Sequence, residues 1–209
     1  MTRLEEFNLI WLTGASCDGC TISALGDTTF APIEKLLTGE VPGLPKINLH
    51  HPILSPMEGE EFVDVFRSAE RGEMDPYGLV VETSIPRMLQ HGSYGWLSED
   101  AGRLVDMGEW VRRLAARAAV VVAFGDCAVY GGPHSGDQVN PTGATGVEAH
   151  LGHRFRSGLG LPVVHLPGCC PPPVLISTLA SVLEWAQGDA PPPELDELGR
   201  PVFAYAMVD

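Results

Sequence analysis

Two cysteines separated by two residues stand in the turn Thr13-Gly14-Ala15-Ser16-Cys17-Asp18-Gly19-Cys20, directly after an apolar run. They form half of a metal clamp. Two further sites offer the rest, Gly125-Asp126-Cys127 and Pro167-Gly168-Cys169-Cys170-Pro171-Pro172. Thiolates are soft ligands that suit zinc and iron–sulfur clusters alike. Zinc commonly takes two close Cys-x-x-Cys pairs with short spacers. Here one close pair is joined by isolated cysteines far along the chain, which favours a cluster set into a preformed domain. The bland alternative makes Cys127, Cys169 and Cys170 ordinary small buried residues. Their placement in Gly- and Pro-rich turns at strand ends argues against it. The count of five cysteines leaves one thiol beyond a set of four ligands.

Other residues carry weaker signals. Glu82 lies just past a buried apolar run, where a carboxylate needs hydrogen-bond donors or a raised pKa; its structural alternative is a helix N-cap or turn residue. Asp18 is expected to accept backbone N–H bonds in its turn, a structural role favoured over ligation. Among the seven histidines, His50 and His51 end a strand and read as a surface pair. Glu148, His150 and His153 share a helical spacing but make an incomplete ligand set. His91 and His134 fall in glycine-rich stretches suited to an interface.

These residues must be positioned by the elements around them. Runs at Phe7–Leu12, Lys46–His51, Tyr77–Val81, Ala119–Phe124 and Leu161–Leu166 read as strands. Helical spacing follows at Thr21–Leu37, with a break near Pro32 and an end at Gly39, and again at Glu58–Glu73, Asp100–Ala118 and Val174–Ala186. Residues 131–146 read as a long loop. Strands alternating with helices predict an α/β fold, a doubly wound parallel sheet with helices on both faces. Sites in such sheets lie beyond the carboxyl ends of the strands. Cys17, Glu82, Cys127 and Cys169 each fall just there. The expected organisation is one domain over 1–188 and a linker or tail over 189–209, where Asp189-Ala190-Pro191-Pro192-Pro193 interrupts the helical pattern.

Bulk properties exclude some functions. A net charge of −14 argues against nucleic acid. No apolar run reaches the length of a membrane span. The N-terminal residues lack the pattern of a secretory signal, so the expectation is a cytoplasmic, reducing location, with membrane association only through partners.

Taken together, the motifs resemble the small, electron-transferring subunit of the nickel–iron hydrogenases. They are Cys17-Asp18-Gly19-Cys20, Val81-Glu82-Thr83-Ser84-Ile85-Pro86, Gly125-Asp126-Cys127-Ala128-Val129-Tyr130-Gly131-Gly132, Asn140-Pro141-Thr142-Gly143-Ala144 and Pro167-Gly168-Cys169. The stretch Glu194–Pro201 resembles the end of that family's first domain. The resemblance implies a flavodoxin-like domain holding a proximal [4Fe–4S] cluster through Cys17, Cys20, Cys127 and Cys169. Counting back from Pro171-Pro172 would choose Cys170 as the fourth ligand instead. Cys170 is then either a bystander or an additional ligand, as in oxygen-tolerant relatives with surplus cysteines. Glu82 matches a family glutamate facing the cluster and the large subunit, as an anchor or a member of a proton path. The Asn140–Ala144 stretch matches a segment near the partner.

The implied function is electron relay between the Ni–Fe centre of a partner large subunit and an acceptor, as part of an oxidoreductase acting on dihydrogen. This chain has no cysteines for the family's medial and distal clusters, so the resemblance implies one of two arrangements: a further iron–sulfur or flavin subunit is the acceptor, or residues 189–209 begin a C-terminal cluster domain of a longer chain. Three alternatives stay open: the related cluster subunit of complex I, a hydrogen-sensing pair, and a zinc-stapled interaction module. The complex I subunit carries adjacent cysteines at its first motif, whereas here the adjacent pair is at the last.

Overall fold

A computed structural model describes residues 3–14, 16–26, 31–87, 96–133, 135–136, 140 and 142–205. Five parallel strands form the central sheet: β1 (Glu6–Thr13), β2 (Lys46–His50), β3 (Tyr77–Glu82), β6 (Val120–Phe124) and β7 (Val164–Leu166), in the order β2-β1-β3-β6-β7. The order reverses at β1, whose neighbours are β2 on one side and β3 on the other. This is the flavodoxin-like doubly wound arrangement.

Side chains alternate across the strands and build two apolar layers. Ile10, Leu12, Leu79, Val81, Val121 and Ala123 face one core. Leu9, Trp11, Val80, Val122 and Phe124 face the other. Helices α3 (Glu60–Glu70) and α4 (Met107–Ala115) cover the first layer through Phe66, Trp110 and Leu114. On the second lie α1 (Gly19–Leu25), α2 (Ile33–Thr38) and α7 (Leu175–Gln187), with Ala24, Leu36 and Leu179 packed inward. Each large aliphatic or aromatic side chain so buried contributes about 1.5–3 kcal/mol.

One helical expectation is corrected. The segment 100–118 is not one helix. Its first part is the return strand of a hairpin, β4 (Trp96–Asp100) and β5 (Arg103–Asp106), and α4 begins only at Met107. Ala101 and Gly102 both adopt positive φ, 52° and 77°, the geometry of a tight two-residue hairpin turn. Asp106 then caps α4, its carboxylate accepting from the Glu109 amide at 2.8 Å. Thr21–Leu37 divides near Pro32 and closes on Gly39 (φ 75°) as expected, with α1 starting at Gly19, before the expected position, and α2 beginning after Pro32. Short helices α5 (Asp126–Tyr130) and α6 (Val147–Leu151) occupy stretches the periodicity does not mark.

Beyond residue 189 the chain runs back over the sheet edge. The His165 amide donates to the Gly199 carbonyl at 2.9 Å. A last turn, α8 (Val202–Tyr205), buries Tyr205, whose hydroxyl donates to the Pro167 carbonyl at 3.0 Å.

Candidate metal centre

The loops that follow β1, β3, β6 and β7 converge at the carboxyl edge of the sheet. Thr13 and Glu82, at the ends of β1 and β3, are register partners. The β6 and β7 loops are tied together by two backbone bonds and one side chain. Gly125 donates to Leu166 O at 2.8 Å and Asp126 to Gly168 O at 3.1 Å. The Asp126 carboxylate accepts from the Gly168 amide at 2.7 Å. Within the β6 loop, the Ala128 amide donates to Gly125 O at 3.1 Å, which opens α5 and sets Cys127 in its first turn. Ser23 of α1 reaches across to the Pro171 carbonyl at 2.9 Å, joining the first cysteine loop to the last.

All five thiols are free. Their closeness is visible at the glycines that back them. A β-carbon on Gly19 would stand 2.8 Å from the Cys170 sulfur and 3.2 Å from that of Cys17. One on Gly125 would stand 2.3 Å from the Cys20 sulfur, and one on Gly132 2.9 Å from that of Cys127. Glycine at these positions therefore leaves room for sulfur. The thiols also act on one another. Burial, then Glu82, Cys170, Cys127 and Cys17, push the Cys20 thiol up. Burial, then Cys169 and Cys17, do so for Cys127. Burial, then Cys17 and Cys169, do so for Cys170. Mutual repulsion of thiolates is relieved by bound cationic metal, so such a set favours metal over free ionisation. Among the described residues, no three His, Cys, Asp or Glu groups close on a point as one ion requires. Thiolates are donors that suit an iron–sulfur cluster and zinc alike.

Glu82 lies behind this group and is 1% exposed. Its carboxylate accepts from the Cys20 amide at 3.1 Å, the Trp11 indole at 3.1 Å and the Thr21 hydroxyl at 2.5 Å. Burial pushes its pKa above the ordinary carboxylate range, and the bonds from Thr21 and Trp11 pull it back. Glu82 is thus an anchor of the Cys17–Cys20 loop; it caps no helix by its own backbone position.

Several expectations change. Asp18 takes a left-handed conformation at φ 57° and makes no side-chain cap bond to α1. Its carboxylate accepts from the Ser16 hydroxyl at 3.3 Å instead of from a backbone amide. The surface reading of the His50–His51 pair is wrong for its second member. His51 is 0% exposed because the chain turns inward after β2, setting its ring against Trp11 at 5.1 Å between centroids. The Glu148–His150–His153 set separates. His150 turns to Gly108 O at 2.8 Å, while His153 lies 3.5 Å from Glu148. His91, His134 and Pro141 lie outside the described residues. Sequence reasoning missed Trp11, Thr21, Asp126 and His51. For His51 a signal existed, since it too directly follows the end of a strand.

The comparisons with known proteins accord with this arrangement. The profile of the family described as NADH ubiquinone oxidoreductase, 20 Kd subunit, matches residues 17–182. The chain belongs to that family. Curated relatives include small chains and small subunits of hydrogenases, and the similar solved structures include NiFe- and NiFeSe-hydrogenases. The Hydrogenase-2 small chain of Escherichia coli (strain K12) is 32% identical over 210 residues, covering 100% of this chain and 50% of the relative. The periplasmic [NiFe] hydrogenase small subunit of Solidesulfovibrio fructosivorans is 31% identical over 207 residues, covering 98% and 57%. An actinobacterial-type NiFe-hydrogenase from Ralstonia eutropha H16 superposes with a TM-score of 0.87 at 38% identity, over 96% of this chain and 59% of that one. A [NiFeSe]-hydrogenase chain from Dm. baculatum gives 0.76 at 28% identity, over 95% and 70%. The chain spans about half the length of the curated relatives it matches.

Proposed function

We propose that this chain is the electron-transferring small subunit of a nickel–iron hydrogenase and holds a proximal [4Fe–4S] cluster through Cys17, Cys20, Cys127 and Cys169. The observation that carries this is the gathering of thiols from three separated loops at one sheet edge, backed by glycines where a β-carbon would meet sulfur. A bound cluster would supply a one-electron couple. The chain's own part is placement and tuning: burial and hydrogen bonds near the sulfurs set the potential.

Each loop has a role in that placement. Glu82 fixes the Cys20 amide. Asp126 ties the Cys127 loop to the one bearing Cys169 and Cys170. Cys170 is the alternative fourth ligand, since its sulfur lies by Cys17 and Gly19 while Cys169 acts on Cys127. Exposed apolar side chains flank the site: Ile22 (67% exposed) and Leu25 on α1, and Ile53 (61%) and Leu54 after β2. They suit a face against a large subunit that carries the Ni–Fe centre. Among the described residues no helix is long and apolar enough to cross a membrane. A separate iron–sulfur or flavin subunit is the acceptor we propose.

The test is iron, sulfide and nickel analysis of the purified complex with cysteine variants. Cys127→Ala loses cluster absorbance and iron. Of Cys169→Ala and Cys170→Ala, the first loses the cluster and the second keeps it; the reverse result assigns the fourth position to Cys170. Retention of full iron and sulfide in Cys127→Ala would overturn the reading. The family description favours one other reading, a cluster subunit of a quinone reductase. Hydrogen-dependent dye reduction by the complex separates the two, since a quinone reductase shows none.

A further inference from the structure

His51 has no part in the reading above, yet it is buried at the same sheet edge. Its two ring nitrogens have distinguishable partners. Nδ1 faces two backbone amides, Ile53 N at 3.1 Å and Leu54 N at 3.3 Å. Both are donors, so Nδ1 is an acceptor and carries no proton. In the neutral ring the proton is therefore on Nε2, which lies 3.0 Å from the Thr21 hydroxyl. Burial favours that neutral ring by holding the His51 pKa down, although the Asp18 charge acts in the opposite sense.

The direction of the next bond follows. With Nε2–H donating to Thr21 Oγ1, the hydroxyl proton of Thr21 has one place to go, the Glu82 carboxylate 2.5 Å away. Glu82 then has donors alone around it, from Thr21, Trp11 and the Cys20 amide. We propose that His51 is a positioning residue for the cluster site: by donating to Thr21 it commits that hydroxyl to Glu82, and so fixes the carboxylate that holds the Cys20 amide. The inference rests on the cluster reading for its effect on potential, and on hydrogen bonds alone for its effect on Cys20.

The relay has an electrostatic consequence. The Thr21 O–H dipole, kept pointing at Glu82, offsets part of a negative charge buried beside the thiols. Without His51 the hydroxyl is free to turn, and more of that charge acts on the site. Adding an electron there becomes harder, so the cluster potential moves to more negative values.

The experiment uses the intact complex with His51→Leu, His51→Gln, Thr21→Val and the double variant His51→Leu/Thr21→Val. Two quantities are read: amide hydrogen exchange at Cys20 and the cluster midpoint potential by redox titration followed by electron paramagnetic resonance. In His51→Leu, exchange at Cys20 rises about tenfold, as loss of one hydrogen bond to a charged group gives, and the potential becomes more negative. Thr21→Val does the same, and the double variant goes no further than either single one. His51→Gln keeps an N–H donor in reach of Thr21 and stays near wild type. Unchanged exchange and potential in His51→Leu would overturn the proposal. So would an upward shift of potential, additive effects, or a His51→Gln variant as altered as His51→Leu, which would assign His51 a packing role. A wild-type complex without iron and sulfide would sink the cluster reading alone, and exchange at Cys20 would still decide this one.

Discussion

A β-carbon at Gly125 would stand 2.3 Å from the Cys20 sulfur, and the residue's φ of 91° lies in the left-handed region. Gly102 has a similar φ of 77° but open space around it. The two positions therefore separate backbone strain from crowding. Alanine costs about 1–2 kcal/mol of strain at Gly102 and about 1–3 kcal/mol at Gly125, whose ψ of 161° puts it in an almost glycine-only region, read by urea denaturation. Only Gly125→Ala also displaces a thiol, so only it lowers iron per chain. His51 gives a second prediction at this scale. Burial brings its pKa down to about 4, against roughly 6.5 in an unfolded chain. As pH falls the unfolded chain takes the proton first, so the contribution to stability is whole above the unfolded value and is lost between about 6.5 and 4. His50 and His150 are also lowered by burial and act in the same sense. In His51→Gln the slope of stability against pH across that window becomes shallower. The cysteines and Glu82 were legible as candidates because type and position both marked them. His51 was not, because a histidine pair at a strand end has the same local pattern whether the chain turns inward or outward. Only the packing of Trp11 against its ring decides that.

Among the elements, the two last loops of the sheet are joined, besides two backbone bonds, by the Asp126 side chain, which spans from α5 to the Gly168 amide. A charge-assisted bond of this kind contributes about 1.5–3 kcal/mol. Asp126→Ala is expected to lose that much, and to release iron to a chelator faster than wild type while keeping its far-ultraviolet circular dichroism. The strands were readable because each is a short run holding aliphatic or aromatic side chains, with Gly, Pro, His or Glu at or directly after its end. The β4–β5 hairpin was not. Leu104 and Val105 satisfy a helical spacing as readily as a strand, and the deciding feature is a turn in which Ala101, a helix former, takes positive φ. Ion pairs then hold the hairpin to its neighbours: Asp100 pairs with Arg67 of α3 and Arg113 of α4, each at 3.1 Å. Such contacts between distant segments leave no mark in a local pattern.

For the whole molecule, the notable contact is the return of the chain after residue 189 to the loop beyond β7. Tyr205 is buried against the second core layer and bonds the Pro167 carbonyl. Tyr205→Phe is expected to cost about 1 kcal/mol for the hydrogen bond. Tyr205→Ala costs about 3–5 kcal/mol, the range for truncating a large buried aromatic. Equilibrium denaturation of the two variants checks the ladder; equal losses would mean the ring contributes nothing. The α/β architecture followed from alternation of elements, and the flavodoxin-like arrangement from the family resemblance. The docking of the 190–205 segment did not, because a run of prolines reads as a break whether or not the residues after it fold back.

The order of the strands also dictates when the thiols can meet. Cys17 and Cys20 leave the ribosome early, on the loop of the strand at the switch point, whereas Cys169 and Cys170 follow the last strand of the sheet. At ordinary translation speeds the early pair waits roughly 10–30 s for its partners. On the proposed reading, machinery that delivers iron and sulfide can therefore act only once residue 170 has been made, and until then the nascent chain exposes thiols that oxidants could reach.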